Sequence, residues 1–325
     1  MHPGGLSGVK IKAMPMQSLD ELNASFGMPG VLSFERRGSD DSGMIRANIT
    51  APACTAELYL QGAHLTLWQP VGQQPVLFLS ERSVFTPGKA IRGGVPVIFP
   101  WFGTRTATPG SSRTDGPSHG FARSQDWHLD FAALADGELH VSLSLGPTDL
   151  SRSLGYDHFR VAYQLTLGRE LTMRLTVGNE GTEPLRFEEA LHTYLHVGEI
   201  EHTRIHGLVN TDFLDKTENF IRRRQAEQVL TVHAETDRPY LNTTAAVMVD
   251  DPVLHRRLTV TKSNSNTTVV WNPWSELAAR LPDMSPEGWR RMLCVETANA
   301  GENAVTLQAG EAHVMEATIS VEPLA

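Results

Sequence analysis

The chain has 325 residues, 40% of them hydrophobic and 20% charged, with a formal net charge of −9. That length supports a sizeable core without disulfide or metal staples, and the acidic balance excludes a general nucleic-acid binder, which would carry a basic face. No apolar run reaches the length of a membrane span. The opening MHPGGLSGVKIKAMPMQ lacks a secretory h-region and cleavage site, so the expected location is the cytoplasm. The two cysteines, Cys54 and Cys294, stand far apart and outside any zinc-type spacing, so both are expected to be reduced, buried thiols.

In chain order, residues 1–16 read as a loose tail rich in Gly, Pro and Met, and residues 17–325 as one domain. Ser18 and Glu21 form an S-x-x-E capping box for a short helix with Leu19, Leu22 and Phe26 on one face and Gly27 at its end. Strand signals follow. ELYLQGAHLTLWQP and PVLFLS alternate or run apolar over strand lengths, and ELHVSLSLG follows a turn at Asp136 and Gly137. VAYQLTL and ELTMRLTV alternate on either side of Gly168 and Arg169, which predicts a β-hairpin with one buried face. RFEEALHTYLHV, AAVMV, RLTVTKS, TTVVWN and HVMEATISVE supply further strands. With no repeat, heptad or low-complexity linker, the fold class is mainly β, with two packed antiparallel sheets and functional loops.

Five segments are too polar or too glycine-rich for their surroundings. In KAIRGGVPVIFPWFG, Gly93 and Gly94 permit close backbone approach or positive φ beside Arg92, although a bulged edge strand with a surface arginine would look the same. SHGFAR, Ser118 to Arg123, follows a long polar loop of the kind that shapes a binding mouth. Arg92 and Arg123 could together clamp an anion; equally, His119 could be a packed histidine and Arg123 a surface charge. In RFEEALHTYLHVGEI a continuous strand would place Glu188, Ala190, His192, Tyr194 and His196 on one face. The H-x-x-x-H spacing there hints at a metal pair but lacks the glutamate and helix of a zincin motif. In GLVNTDFLDKT, Asp215 could accept hydrogen bonds from hydroxyl groups or cap a solvated turn with Lys216. Around VVWNPW, Trp271 and Trp274 suit stacking on a pyranose or simple core filling. Glu296 is the sharpest feature: within LCVET an ionised carboxylate is costly unless paired or used.

GKAIRGGVPVIFPWFG, HGFAR, EEALHTYLHVGEI, GLVNTDFLDK, VVWNPW and CVETANA, taken together and in this order, resemble the hexose-6-phosphate mutarotases (glucose-6-phosphate 1-epimerases) of the aldose 1-epimerase superfamily. The resemblance covers roughly residues 35 to 325. It implies a galactose-mutarotase-like antiparallel β-supersandwich. It also implies His192 and Glu296 as the catalytic pair, contacts from Arg92, Arg123 and Asp215 to substrate, and no metal or other cofactor. The family commonly has Gln where this chain has Ser118, which leaves the particular hexose open.

The chemistry that follows is ring opening, with one base taking the proton from O1 and one acid delivering a proton to ring O5. A carboxylate at Glu296 suits the first task and a protonated imidazole at His192 the second. The expected partner is a small hexose 6-phosphate, held with help from Ser118, His119 and Trp274. Neither nucleic acid nor membrane is expected, and a monomer is the default state. Two alternatives stay open at this level: a non-catalytic sugar-phosphate-binding module, and a glycoside hydrolase-like enzyme on the same fold, which would need two facing carboxylates.

Overall fold

The structure is a computed structural model that describes residues 17–38, 42–105 and 113–324. The expected tail, residues 1–16, lies outside the described residues. The predicted helix forms at Leu19–Phe26, with Ser18 and Glu21 exchanging both capping-box hydrogen bonds and Leu22 buried. It leads into a four-stranded antiparallel sheet of Leu32–Arg37, Met44–Ala51, Cys54–Tyr59 and His64–Pro70.

Two eight-stranded sheets dominate what remains of the described residues. One contains the predicted hairpin, Phe159–Leu167 with Leu171–Asn179, flanked by Glu138–Leu145 on one side and Ala312–Pro323 on the other. Strict burial alternation along both hairpin strands explains why this pairing is legible: every second side chain enters the core. The other large sheet runs from Ile221–Arg224 through Asp212–Asp215, Thr236–Leu241, Thr267–Asn272 and Met292–Asn299 to Glu189–Leu191 and Val97–Ile98. A short strand, Tyr194–His196, also pairs with Met292–Asn299. One continuous apolar core draws on all three sheets, including Trp68, Val161, Leu175, Leu191, Leu293 and Val295.

Two strand expectations need correcting. PVLFLS makes only isolated bridges, Leu77 to Leu195 and Leu79 to Gly93, and forms no regular strand. RFEEALHTYLHV is not one strand but three short ones, Leu185–Phe187, Glu189–Leu191 and Tyr194–His196. Its breaks have local causes. Glu188 turns its carboxylate to accept from the backbone N–H groups of Phe102 and Gly301. His192 donates its N–H to the carbonyl of Pro96, outside the ladder.

The strand Met292–Asn299 is buried along its whole length. Alternation sends Leu293, Val295 and Thr297 to one face and Cys294, Glu296 and Ala298 to the other. Register places Glu296 opposite Val269, and Cys294 between Trp271 and Tyr194. On the Glu296 face, Ile98, Ala190, Val269 and Ala298 form a separate small apolar floor, with Phe102 against it.

Candidate active site

The site gathers on that second face. His192 sits in the break between two strands and Glu296 in the strand beside it; His192 Nε2 lies 3.4 Å from Glu296 Oε1. Both are buried, at 7% and 1% exposure. Among the described residues, Glu296 Oε2 has no hydrogen-bond partner and no other residue partners His192 Nδ1. Buried polar atoms are normally satisfied, so the unpaired Glu296 Oε2 marks a group kept ready for something else.

Aromatic rings set the walls. Tyr194 stacks on His192 with centroids 4.9 Å apart and planes 11° from parallel. Trp271 meets both edge-on, at 6.1 Å and 5.9 Å. His119 stands edge-on to His192 at 5.4 Å and to Phe102 at 4.9 Å. Its φ is +63°, and the Nδ1 accepts from Gly103 N–H, which leaves Nε2 to carry the ring proton. The loop is fixed by Gly120, where a side chain would lie 2.1 Å from the Phe99 carbonyl oxygen.

Both predicted arginines come to the histidine side. Arg92 donates to the Tyr194 hydroxyl at 3.1 Å and to Asp283 at 3.2 Å. Positive φ at Gly93 and Gly94 carries the backbone past it. A Cβ on Gly94 would lie 2.2 Å from the Leu65 carbonyl, so the close approach expected from the Gly pair is real. Arg123 donates to the carbonyl of Ser118 at 2.7 Å and has no carboxylate partner among the described residues. Ser118 therefore orients the arginine through its backbone.

Charge is distributed unevenly across the pair. Burial first, then the fields of His119, Arg123 and Arg92, hold the His192 imidazole well below its usual range. Burial and then Asp237 hold the Glu296 carboxyl well above its own, with Lys216 opposing. His119 is pushed down to about 3 by burial, and by Arg123, Lys216 and Arg92. Both shifts oppose charge: the protein groups around the pair favour a neutral imidazole at His192 and a neutral carboxyl at Glu296.

Other predicted residues are placed elsewhere. Asp215 is buried and turned into its own 3₁₀ turn, where it accepts from Thr217 N–H and Oγ1 and faces Arg238 at 3.5 Å. The next residue enters the site instead. Lys216 pairs with Asp237 at 2.6 Å, and that pair acts on Glu296. Trp274 opens the helix Trp274–Arg280 and packs on Trp289 at 4.3 Å; the ring that meets the histidine is Trp271's. His196 is separated from His192: its Nδ1 faces the Pro75 carbonyl, and it lines a different cavity of about 680 Å³ with Arg290 and Arg291. Cys54 and Cys294 are free and buried, as expected.

His192, Cys294 and Glu296 offer three donor atoms within 4.8 Å of one another. Burial holds the Cys294 thiol well above its usual range.

Asp237 and Asp283 were missed from the sequence, and Tyr194 and Lys216 were named there without a role in the site. Asp237 carried a readable signal, a carboxylate in the strand TDRPYL opposite Trp271. Asp283 carried none.

Comparison with known proteins adds the family. The aldose 1-epimerase family profile matches residues 46–320. A proposed glucose-6-phosphate 1-epimerase of Salmonella typhimurium is 31% identical over 283 residues, covering 86% of this chain and 92% of that protein. One of Escherichia coli with the same name is 33% identical over 264 residues, covering 81% and 86%. The crystal structure of a proposed mutarotase from Salmonella typhimurium superposes with a TM-score of 0.82 at 31% identity, covering 91% of this chain and 95% of that one. With a matched profile over most of its length and a buried histidine–glutamate pair on a mutarotase-like fold, the chain belongs to the aldose 1-epimerase family and is an isomerase, not a binding module or a hydrolase.

Proposed function

We propose that this epimerase interconverts the α and β anomers of a hexose 6-phosphate, with His192 and Glu296 as acid and base. The observation that carries the reading is the placement of Arg92 and Arg123 on the histidine side of the 3.4 Å His192–Glu296 pair. Relatives named glucose-6-phosphate 1-epimerase support the same substrate class.

The placement also sets the direction of the sugar. A phosphate on C6 held by the arginines brings C5 and ring O5 toward His192 and leaves C1 and O1 toward Glu296. Ring opening then runs with Glu296 taking the O1 proton and His192 delivering one to O5; the aldehyde turns about C1–C2, and closure reverses both transfers. The Trp271 indole offers an apolar face to the ring, and His119 Nε2–H a donor to a hydroxyl. The unreacting phosphate contributes binding energy that holds the sugar against the pair.

Magnetisation-transfer NMR between the anomers of glucose 6-phosphate tests this. Catalysed exchange in the native chain, lost in Glu296→Gln and in His192→Ala, is the expected result. Native-like exchange in either variant removes that residue from the mechanism.

A further inference from the structure

The role just assigned to His192 requires a protonated imidazole, yet the protein groups around it disfavour one. The surrounding groups make the reason visible. His192 is faced by His119 from the HGFAR loop, by Tyr194 from the short strand that follows it, by Cys294 and Glu296 from the neighbouring strand, and by the fields of Arg92 and Arg123. None of these except Glu296 supplies an anion. Arg92 pairs with Asp283, whose field also reaches Arg123, and no other carboxylate pairs with either arginine among the described residues. Among the described residues the two positive charges on the histidine side thus share one carboxylate and are not balanced. The carboxylate side already holds its own ion pair, Lys216 with Asp237.

We propose that the substrate's phosphate is the missing charge: by neutralising Arg92 and Arg123 it moves the shared proton from Glu296 Oε1 to His192 Nε2 and so sets the pair in its working form. The transfer is one proton across 3.4 Å, leaving an imidazolium and a carboxylate. Nothing else enters or leaves. The anion removes the repulsion that the arginines exert on imidazolium, an effect that acts strongly in a water-poor pocket. The orphaned Glu296 Oε2 then has a task as the lone pair that meets O1–H. This inference rests on the hexose 6-phosphate reading and adds to it: the phosphate becomes an activator of the acid–base pair as well as a handle.

Free glucose with a separate anion tests the idea on the intact chain. Anomer exchange of glucose is measured with and without inorganic phosphite, at ionic strength matched with chloride, after subtraction of the enzyme-free rate in the same solution. Each unit by which the anion favours imidazolium changes the ratio of the two proton placements tenfold, so saturating phosphite should raise enzyme-dependent exchange by about tenfold or more. Rapid exchange of glucose 6-phosphate combined with a flat response of glucose to phosphite overturns the inference while leaving the substrate reading intact. Absence of exchange with glucose 6-phosphate overturns both.

A second measurement separates an activator from a handle without any added anion. Arg123→Gln removes one of the two positive charges, and Arg123→Lys keeps it. Exchange of free glucose should be several-fold faster in the glutamine variant than in the lysine variant. A simple handle predicts equal free-glucose exchange in the two, and equal rates would sink the proposal.

Discussion

The ring of Tyr194 lies flat on the imidazole of His192, while its hydroxyl accepts from Arg92 at 3.1 Å. One side chain thus fixes the plane of the proposed acid and the position of a proposed phosphate ligand. The two functions can be separated. Tyr194→Phe keeps the stack and removes the hydrogen bond. It should raise KM for glucose 6-phosphate about two- to tenfold, the worth of one ordinary hydrogen bond, with a smaller effect on kcat. Tyr194→Leu removes both and should lower kcat as well. A fall in kcat alone for the phenylalanine variant would contradict this division.

Arg92 makes a charge-assisted contact to Asp283 and faces the same pocket. Arg92→Ala should raise KM for glucose 6-phosphate by roughly ten- to a hundredfold, the range for a lost hydrogen bond to a charged group. It should alter KM for free glucose far less. Equal changes for the two sugars would show that Arg92 does not hold the phosphate.

Glu296→Gln should cost at least about a hundredfold in exchange rate, as expected for loss of a positioned base. Its fold should survive, because Glu296 Oε2 makes no hydrogen bond in the native site. Urea unfolding should place the variant within about 1 kcal/mol of native at neutral pH. A large loss of stability would mean that the carboxyl is a structural group.

His64 gives the chain a defined acid sensitivity. It is 1% exposed, its Nε2 lies 2.7 Å from the Gly93 carbonyl, and burial pushes its imidazole down to about 4. A depressed histidine contributes stability that is fully present above the unfolded value near 6.5 and is lost as pH falls through the folded value. The window is therefore pH 6.5 down to about 4, and the loss approaches roughly 3 kcal/mol. His64→Gln, which retains a donor for Gly93, should show a shallower fall of urea-unfolding free energy across that window. Parallel curves would place the sensitivity in other histidines.

Arg256 is 2% exposed and donates to the carbonyls of Gln74, Pro75 and His196. Arg256→Leu would leave three carbonyls without their donor and should lower the unfolding free energy by about 3 to 5 kcal/mol. Lysine cannot reproduce the fork and should recover only part of it. A Tm unchanged in both variants would refute this role.

What the sequence disclosed depended on how local the cause was. The hairpin Phe159–Leu167 with Leu171–Asn179 is written in period-two alternation, and the Ser18–Glu21 box in two residues three apart. Glu296 was legible because a carboxylate in LCVET stands against its neighbours. His192 was not distinct among thirteen histidines until a family resemblance singled it out. The break that frees it depends on Pro96, and its surroundings come from Arg92, His119, Trp271 and Cys294, which only the folded chain brings together. The choice between Trp271 and Trp274 was equally illegible: it turns on where the strand Thr267–Asn272 stops and the helix begins. The Asp215 carboxylate was read either as an acceptor for hydroxyl groups or as part of a turn with Lys216, and its Oδ1 accepts from Thr217 two residues later.

The register of Met292–Asn299 bears on quality control. A slip of one residue would turn Glu296 toward the side of Leu293 and Val295, burying a carboxyl with no proton-transfer partner in the main core. The same slip would push Leu293 or Val295 into the sugar pocket. A mis-threaded chain is thus penalised in its core and disarmed in its chemistry by the same error. The fold therefore proofreads its own active site, and stable but inactive molecules with this strand out of register should not accumulate.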